Sequence, residues 1–361
     1  MLPEIGSNLS EYSSFINKKS DYKSLWWQKP DYYKQYFKSG RNAIKGLCRL
    51  KNNLNCKALL PIFTCDTVVK PFVEEGWTID FYTIDRNLEI NFSSLKEKYN
   101  SFKPALIFLQ SYFGFNTIKS DVIDWLKSIK NNNCLIVEDI TQSLFSEHYL
   151  DCADYYVASL RKFLAIPDGG VLITRDNVIS LELEEADEEI CQVAIEAFDL
   201  KNMYLYGEEK LQKEVFLEKF RKLKLLIDDN SKIRRINDKS INIFNNFIWY
   251  EAIKKRIRNY NYLFDGLINN KVVSLILPKA CVGFSPLYFP IYVKGERAVF
   301  QNYLSKQNIY CPIIWPRSTY ISETDNIIDF IYKNIICIPI DQRYGLDDMG
   351  RILEAIDEYG R

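Results

Sequence analysis

The stretch Tyr155-Tyr156-Val157-Ala158-Ser159-Leu160-Arg161-Lys162-Phe163-Leu164-Ala165-Ile166-Pro167-Asp168-Gly169-Gly170-Val171-Leu172-Ile173-Thr174 sets one lysine between two apolar runs. Residues 155–160 and 171–174 read as buried strands. Six residues separate Lys162 from the glycine pair. Lys162 is therefore expected in a short connection between strands, with its stem desolvated. Desolvation disfavours an ammonium and lowers its pKa. A neutral lysine amine is a nucleophile that forms Schiff bases with aldehydes. On this segment alone the ordinary reading, a solvated loop lysine, stands beside that one.

Upstream, the pattern alternates. Residues 58–63, 79–84, 105–109 and 134–137 are apolar strand candidates. Residues 121–130 carry Val122, Ile123, Leu126 and Ile129 on one helical face. Strands alternating with helices define an α/β domain with a mainly parallel mixed sheet flanked by helices. Ligands of such sheets bind beyond the carboxyl ends of the strands. Glu138-Asp139-Ile140-Thr141-Gln142-Ser143 follows one such end, and Phe63-Thr64-Cys65-Asp66 another. A carboxylate there needs a cationic or hydrogen-bonding partner. Asp139 is then a helix cap, a salt-bridge member, or the counter-ion of a protonated ring nitrogen.

Further upstream, Ala43, Ile44, Leu47 and Cys48 recur at helical spacing after Ser39-Gly40. Backbone N–H groups at a helix start, with the helix dipole, bind anions. Gly40 would let a phosphate approach the backbone, and Arg41 adds a charged donor. An ordinary N-cap reads the same way. Residues 1–38, with Trp26-Trp27 and Tyr32-Tyr33, form an N-terminal arm, either packed on a partner or a cleft or folded as a plain surface helix. Residues 39–230 are assigned to the large domain and 231–361 to a smaller α+β C-terminal domain. After Thr174 an acidic run (Glu182, Glu184, Glu185, Asp187, Glu188, Glu189) leads into helical patterns to about Leu267. That run and Lys254-Lys255-Arg256-Ile257-Arg258 read as solvated helix faces. Strand-like character returns at residues 287–293.

Composition excludes several classes. Lys+Arg and Asp+Glu are equal at 47 each among 361 residues, and nucleic acid or anionic membrane calls for a positive field. Nine dispersed cysteines without a CxxC pair fit reduced thiols in the cytoplasm. The N-terminus lacks the apolar run of a signal peptide, and no apolar stretch reaches membrane-spanning length. His148 is the single histidine, so neither a HExxH nor a Cys/His zinc site is expected, and no metal is expected. No GxSxG, P-loop or GxGxxG appears. What is left is a phosphate-ready helix start, an acid at a strand end, and a lysine 23 residues after it. The combination suits pyridoxal phosphate. The lysine takes the aldehyde, the helix start the phosphate, and the carboxylate the pyridine nitrogen.

With these residues the chain resembles the DegT/DnrJ/EryC1/StrS aminotransferases. These are fold-type-I pyridoxal-phosphate enzymes that mostly aminate nucleotide-linked keto-sugars. The resemblance runs from about Ser39 to the C-terminus. It takes in Ser39-Gly40, Leu60-Pro61 through Thr64, Glu138 through Ser143, the Lys162 to Gly169-Gly170 spacing, and Ile338-Pro339-Ile340-Asp341-Gln342. It implies that Lys162 holds the cofactor aldehyde and then shuttles a proton. It implies that Asp139 pairs with the pyridine nitrogen and Gln142 bonds the ring's phenolic oxygen. Ser159 and the backbone at Gly40 and Arg41 would bind the phosphate. It also implies a homodimer with shared active sites, and glutamate or glutamine as amino donor to a carbonyl acceptor in surface-polysaccharide biosynthesis.

The chain departs from the family pattern in four places. Ser159 stands three residues before the lysine where the family has its serine at five, and Arg161 is a candidate to share its role. Cys65 stands where a ring-stacking aromatic is common, and Arg41 where a threonine is. The family's Gly-x-Asn-x-Arg loop has only a poor counterpart in Arg234-Arg235-Ile236-Asn237-Asp238. Two rival readings are a pyridoxal-phosphate lyase or transferase acting on a small amino acid, and a non-catalytic relative of the fold.

Overall fold

The computed structural model describes residues 4–10, 24–51, 55–130, 133–176, 178–207 and 212–361. In chain order, β1 (Ile5–Gly6), β2 (Tyr33–Phe37) and α1 (Gly40–Leu50) come first. Then follow β3 (Lys57–Pro61), α2 (Asp66–Glu74), β4 (Thr78–Tyr82), α3 (Phe92–Phe102), β5 (Leu106–Gln110), α4 (Ser120–Ile129) and β6 (Leu135–Asp139). Next come β7 (Tyr155–Ser159), β8 (Gly170–Thr174), α5 (Glu188–Tyr206), α6 (Lys213–Asp228), α7 (Asp238–Asn245) and α8 (Trp249–Leu267). The chain closes with β9 (Val273–Leu275), β10 (Phe289–Val293), α9 (Arg297–Lys306), β11 (Ile309–Tyr310), α10 (Asn326–Asn334), β12 (Ile335–Ile338) and α11 (Leu346–Tyr359). Each strand candidate quoted above is a strand, shifted at its ends by a residue or two. The alternation of strands with helices makes the fold α/β.

The described residues fall into two compact units that interleave along the chain. One takes in Met1–Ser7, Asn53–Ala153 and Tyr250–Arg361, the other Asn8–Asn52 and Asp154–Trp249. In the first unit β6, β5, β3 and β4 lie side by side and parallel, with Leu59 paired to Asp80 and to Ile107, and Gln110 to Asp139. β5 is buried along its whole length, as a strand covered on both faces must be, and hence reads Leu-Ile-Phe-Leu without alternation. An antiparallel β12-β10-β9 sheet belongs to the same unit. Its Ile291, Ile336 and Ile338 share one core with Ile62, Phe63 and Phe115.

The second unit holds an antiparallel ribbon, β2-β8-β7, in which Gly170 faces both Phe37 and Ser159. α5 and α6 pack through Ile190, Val193, Phe198, Leu223 and Ile227, with Ala165 from the lysine segment among them. Among the described residues, the aromatic stretch before Ser39 forms a short 3-10 turn at Trp26–Gln28, with both tryptophans buried, and a strand, not a surface helix. Residues 33–37 are strand β2, and Trp26 sits edge-on to Tyr32 and Tyr156 at 5.2 and 4.8 Å. Tyr and Phe suit a half-buried pleated surface, and β8 supplies the pairing. The part of the expected arm at residues 11–23 lies outside the described residues.

The basic run in α8 is corrected at one position. Arg256 is buried, and its guanidinium donates to Gln342 Oε1 at 2.8 Å and to the carbonyls of Leu287 and Pro286 at 2.9 and 3.3 Å. The closing motif is thus a structural clamp. Gln342 receives Arg256, and Asp341 pairs with Arg343 at 2.7 Å. Three acceptors outweigh the tendency of a charged residue to face water.

Candidate functional site

In the second unit the sequence-predicted residues Gly40, Ser159 and the glycine pair meet. Ser39 caps α1, its Oγ accepting from Asn42 N at 3.2 Å. The same residue bridges Gly169, whose N–H donates to the Lys38 carbonyl at 2.7 Å. A Cβ placed on Gly170 would lie 2.1 Å from Ser39 C and 2.4 Å from Gly40 N. One placed on Gly40 would lie 3.1 Å from Ser159 N. Gly170 is required because backbone passes backbone here, whereas the contact at Gly40 is tight but not closed. The start of α1 is therefore stitched to the two ends of the lysine segment.

Leu160–Lys162 form a 3-10 turn after β7, and the Ser159 side chain does not cap it. Lys162 is exposed. The desolvation expected from its flanking strands is not a property of the chain by itself. In this turn the side chain is solvent-exposed, so the amine is reachable, as condensation with an aldehyde requires.

Arg41 does not turn its fork toward the start of α1. It donates to the Asp228 side chain at 2.9 Å and to the Asp228 carbonyl at 3.0 Å, while its buried Nε has no hydrogen-bond partner. Asn42 and Lys45, on the same helix, bond Asn230 at 2.6 and 2.7 Å. These contacts tie α1 to the segment after α6.

Arg161 also has a buried, unpartnered Nε. Burial pulls its pKa down, against the attraction of Asp168 and Asp228. Asp168, immediately before the glycine pair, is fully buried. Its carboxylate accepts from Asn237 N at 3.0 and 3.2 Å, and its N–H donates to Ser240 Oγ at 3.2 Å. It thus pins the end of the lysine segment to the start of α7. Burial lifts its carboxyl to about 6 despite these donors. Sequence reasoning missed Asp168; the available signal was an acid set directly against two glycines in an apolar context. The glycine-lined start of α1, with backbone N–H groups that lack an intrahelical acceptor, fits a phosphate.

In the first unit Asp139 ends β6 and is buried. Its Oδ1 accepts from Thr141 N at 2.8 Å, the cap-like alternative read from the sequence. Gln142 is buried and accepts from Phe113 N at 2.5 Å through Oε1. Glu138, also missed, points to a buried pair of donors, Ser111 Oγ at 2.9 Å and Leu150 N at 2.7 Å. Burial lifts its carboxyl to about 7. Together these bonds fix the segment after β6. Thr64 bonds Gln110 at 3.3 Å, and Tyr112 donates to the Phe63 carbonyl at 2.7 Å. Cys65 is the N-cap residue of α2 and receives the Thr67 hydroxyl at 3.1 Å.

Other candidates resolve into structure. Burial pushes His148 down to about 4, so it is neutral near pH 7. Arg234 and Arg235 pair with Glu184 and Glu185 of the acidic run at 3.7 and 2.7 Å. No group of His, Cys, Asp and Glu among the described residues could hold a metal ion. No helix among them is long and apolar enough to cross a membrane.

The fold is that of the sugar aminotransferases, as the resemblance implied. A sugar aminotransferase from Micromonospora echinospora aligns at TM-score 0.64 over 92% of this chain and 88% of its own, with 15% identity. A DegT DnrJ EryC1 StrS aminotransferase from Brucella abortus aligns at 0.61 over 90% and 85%, with 13% identity. An aligned Bacillus subtilis protein, with cofactor PMP bound, gives 0.65 over 90% and 73%, with 14% identity. At these identities the likeness is one of fold. No family model and no curated protein matches the sequence.

Proposed function

We propose that this chain is a pyridoxal-phosphate-dependent aminotransferase. It moves an amino group from glutamate or glutamine to a keto-sugar nucleotide in surface-polysaccharide biosynthesis. The observation that carries the reading is the second unit's construction, in a chain with the fold of sugar aminotransferases. A reachable lysine sits in a turn whose end is stitched to a glycine-lined helix start. When bound, the cofactor supplies an aldehyde and an electron-accepting ring. Lys162 offers the amine for that aldehyde and, once displaced by the donor, moves a proton. Asp139 keeps the ring nitrogen protonated, and its buried place at a strand end makes an opposite charge favourable. Gln142 orients the ring from the segment that Glu138 fixes. Gly40, Arg41 and Ser159 hold the phosphate, Arg41 through its backbone. We further propose a homodimer with shared active sites, working in the cytoplasm, where the nine free cysteines stay reduced.

Purified protein is expected to be yellow, and borohydride should fix the cofactor on Lys162, read by peptide mass spectrometry. An adduct on another lysine refutes the assignment. Lys162→Ala should lower turnover by about 1000-fold or more. Glutamate or glutamine should convert the bound cofactor to its amine form. A spectrum that neither donor changes favours the lyase reading.

A further inference from the structure

The chemistry proposed above makes no use of the closing motif or of the residues that follow it. They are engaged instead with one short segment at the other end of the chain. Asp341 holds Arg343 with both oxygens, receiving Nε at 2.7 Å and Nη2 at 2.9 Å. So fixed, Nη2 also donates to the carbonyls of Gly6 and Ser7, at 3.4 Å each. Tyr344 stands between the two backbone groups of Gly6. Its hydroxyl accepts from Gly6 N at 2.7 Å and donates to Gly6 O at 3.2 Å. Ile5 N donates to the Asn308 carbonyl at 2.9 Å. β1 runs parallel to β11, with Ile5 beside Ile309 and Gly6 beside Tyr310.

These are the contacts of a peptide bound by strand addition, in which main-chain bonds give affinity and pockets give specificity. Ile5 is fully buried in one core with Ile309, Ile340 and Tyr344. The next position accepts only glycine. Its φ is +100°, and a Cβ there would lie 2.3 Å from Tyr310 O and 3.1 Å from Pro339 Cγ. The extended run stops at Ser7, where φ is 67°. A two-residue strand has little stability of its own, and the tyrosine that clamps it lies 338 residues away. The segment is held as a separate peptide would be. Among the described residues β11 pairs with no other strand, so the segment also covers a sheet edge. We infer that Pro339 to Tyr344 and the edge of β11 form a peptide-binding groove for an apolar residue followed by glycine, and that its occupant is this chain's own Glu4–Ser7, a latch that docks and leaves as a unit. Neither groove nor latch depends on the function proposed above.

The test uses the full chain, wild type and Gly6→Val, with a dye-labelled peptide of residues 2–8. Valine at position 6 is forced against Tyr310 O in a backbone conformation it resists, which empties the groove. The peptide should bind Gly6→Val, read by fluorescence anisotropy. It should bind the wild type at least about 10-fold more weakly, because the tethered latch competes. A peptide with alanine in place of the glycine should bind Gly6→Val about 10-fold more weakly than the native peptide. Adding Tyr344→Phe to Gly6→Val should weaken the native peptide by about 10-fold, since a buried N–H loses its acceptor. If Gly6→Val fails to fold, hydrogen exchange on the wild type decides. The amides of Ile5 and Gly6 should then exchange about 100-fold faster than those of the β10–β12 pair, by local opening. A folded Gly6→Val that leaves the native peptide unbound overturns the inference, as does one that binds the alanine peptide equally well. Exchange at Ile5 and Gly6 as slow as in β10–β12 overturns it too, since the segment would then be an inseparable strand of the core.

Discussion

Two pairs of adjacent charged residues, Glu138-Asp139 after β6 and Arg161-Lys162 after β7, are built on opposite principles. In the first, the chain itself supplies the partners of both carboxylates, and the one buried hydroxyl left without a partner nearby, among the described residues, is Ser143 Oγ. Both Glu138 oxygens and Asp139 Oδ1 accept hydrogen bonds from nearby donors, and Gln142 is held likewise. In the second, one guanidinium N–H, that of Arg161 Nε, is buried without an acceptor. Glycines let backbones touch, while Arg161 is left short of acceptors. A region satisfied from within is set by folding. A region with unanswered donors is set for a ligand, and its stability and its binding should separate on mutation.

The harshest way to break the second region is Gly170→Ala. The new methyl would lie 2.1 and 2.2 Å from Ser39 C and O and 2.4 Å from Gly40 N, all backbone atoms. No flexible side chain can yield, so a strand or the start of α1 must move. A loss of more than about 3 kcal/mol is expected, with cofactor binding lost as well, read by urea unfolding and absorbance titration. A variant as stable as the wild type that still binds would mean that the cradle is not rigid, and the contrast drawn here would collapse.

How much of this was legible in the sequence follows from the range of the forces involved. Residues 106–109 announced a buried strand because both faces of β5 are covered. Ser39-Gly40 announced a capped helix because a cap is a local bond. The lysine-to-glycine spacing was legible because β7 and β8 pair through a short connection. Strand β2 was not, since its partner β8 lies more than a hundred residues away. Nor was the burial of Arg256, although Ile253, Arg256, Asn259, Tyr260 and Leu263 keep one buried helical face. A charge on that face is acceptable only through Gln342 and two distant carbonyls, which no local pattern announces. The exposure of Lys162 was missed for a related reason. Flanking strands predict the path of the backbone, and whether a side chain in the 3-10 turn between them meets solvent depends on packing that the local pattern does not carry.

The first region can be probed by pH. Glu138 titrates near 4.5 when unfolded and at about 7 when folded. As pH rises past 4.5 the unfolded chain releases this proton first, so the folded state loses stability between about pH 4.5 and 7 and no more above that. Glu138→Gln copies the protonated form, its amide donating to Ser111 Oγ and its carbonyl accepting from Leu150 N. Relative to the wild type it should gain across that window, by on the order of 3 kcal/mol at most, in chemical denaturation at a series of pH values. Asp168→Asn should give the same sign in a lower window, between about pH 3.8 and 6. A flat difference for Glu138→Gln would show that the acid is solvated and the region not satisfied from within.

The smallest effect, and the sharpest on the contrast, is expected from Gly40→Ala. Alanine in the first turn of α1 gains up to about 1 kcal/mol in helix propensity over glycine. Against this, the methyl would meet Ser159 N at 3.1 Å and Ser159 Cβ at 3.2 Å. Those contacts are tight enough to require a shift of a few tenths of an ångström, which β7's end can take up more easily than two crossing backbones can. The two contributions nearly cancel, and the change in unfolding free energy should stay within about 0.5 kcal/mol. Phosphate binding has no such offset, because the methyl narrows the approach to the N–H groups of Gly40 and Arg41. Pyridoxal phosphate should bind several-fold more weakly with pyridoxal unaffected, a split that absorbance titration resolves. Equal weakening of both ligands would move the role of Gly40 from the phosphate to the path of the chain, and the second region would then be satisfied from within like the first.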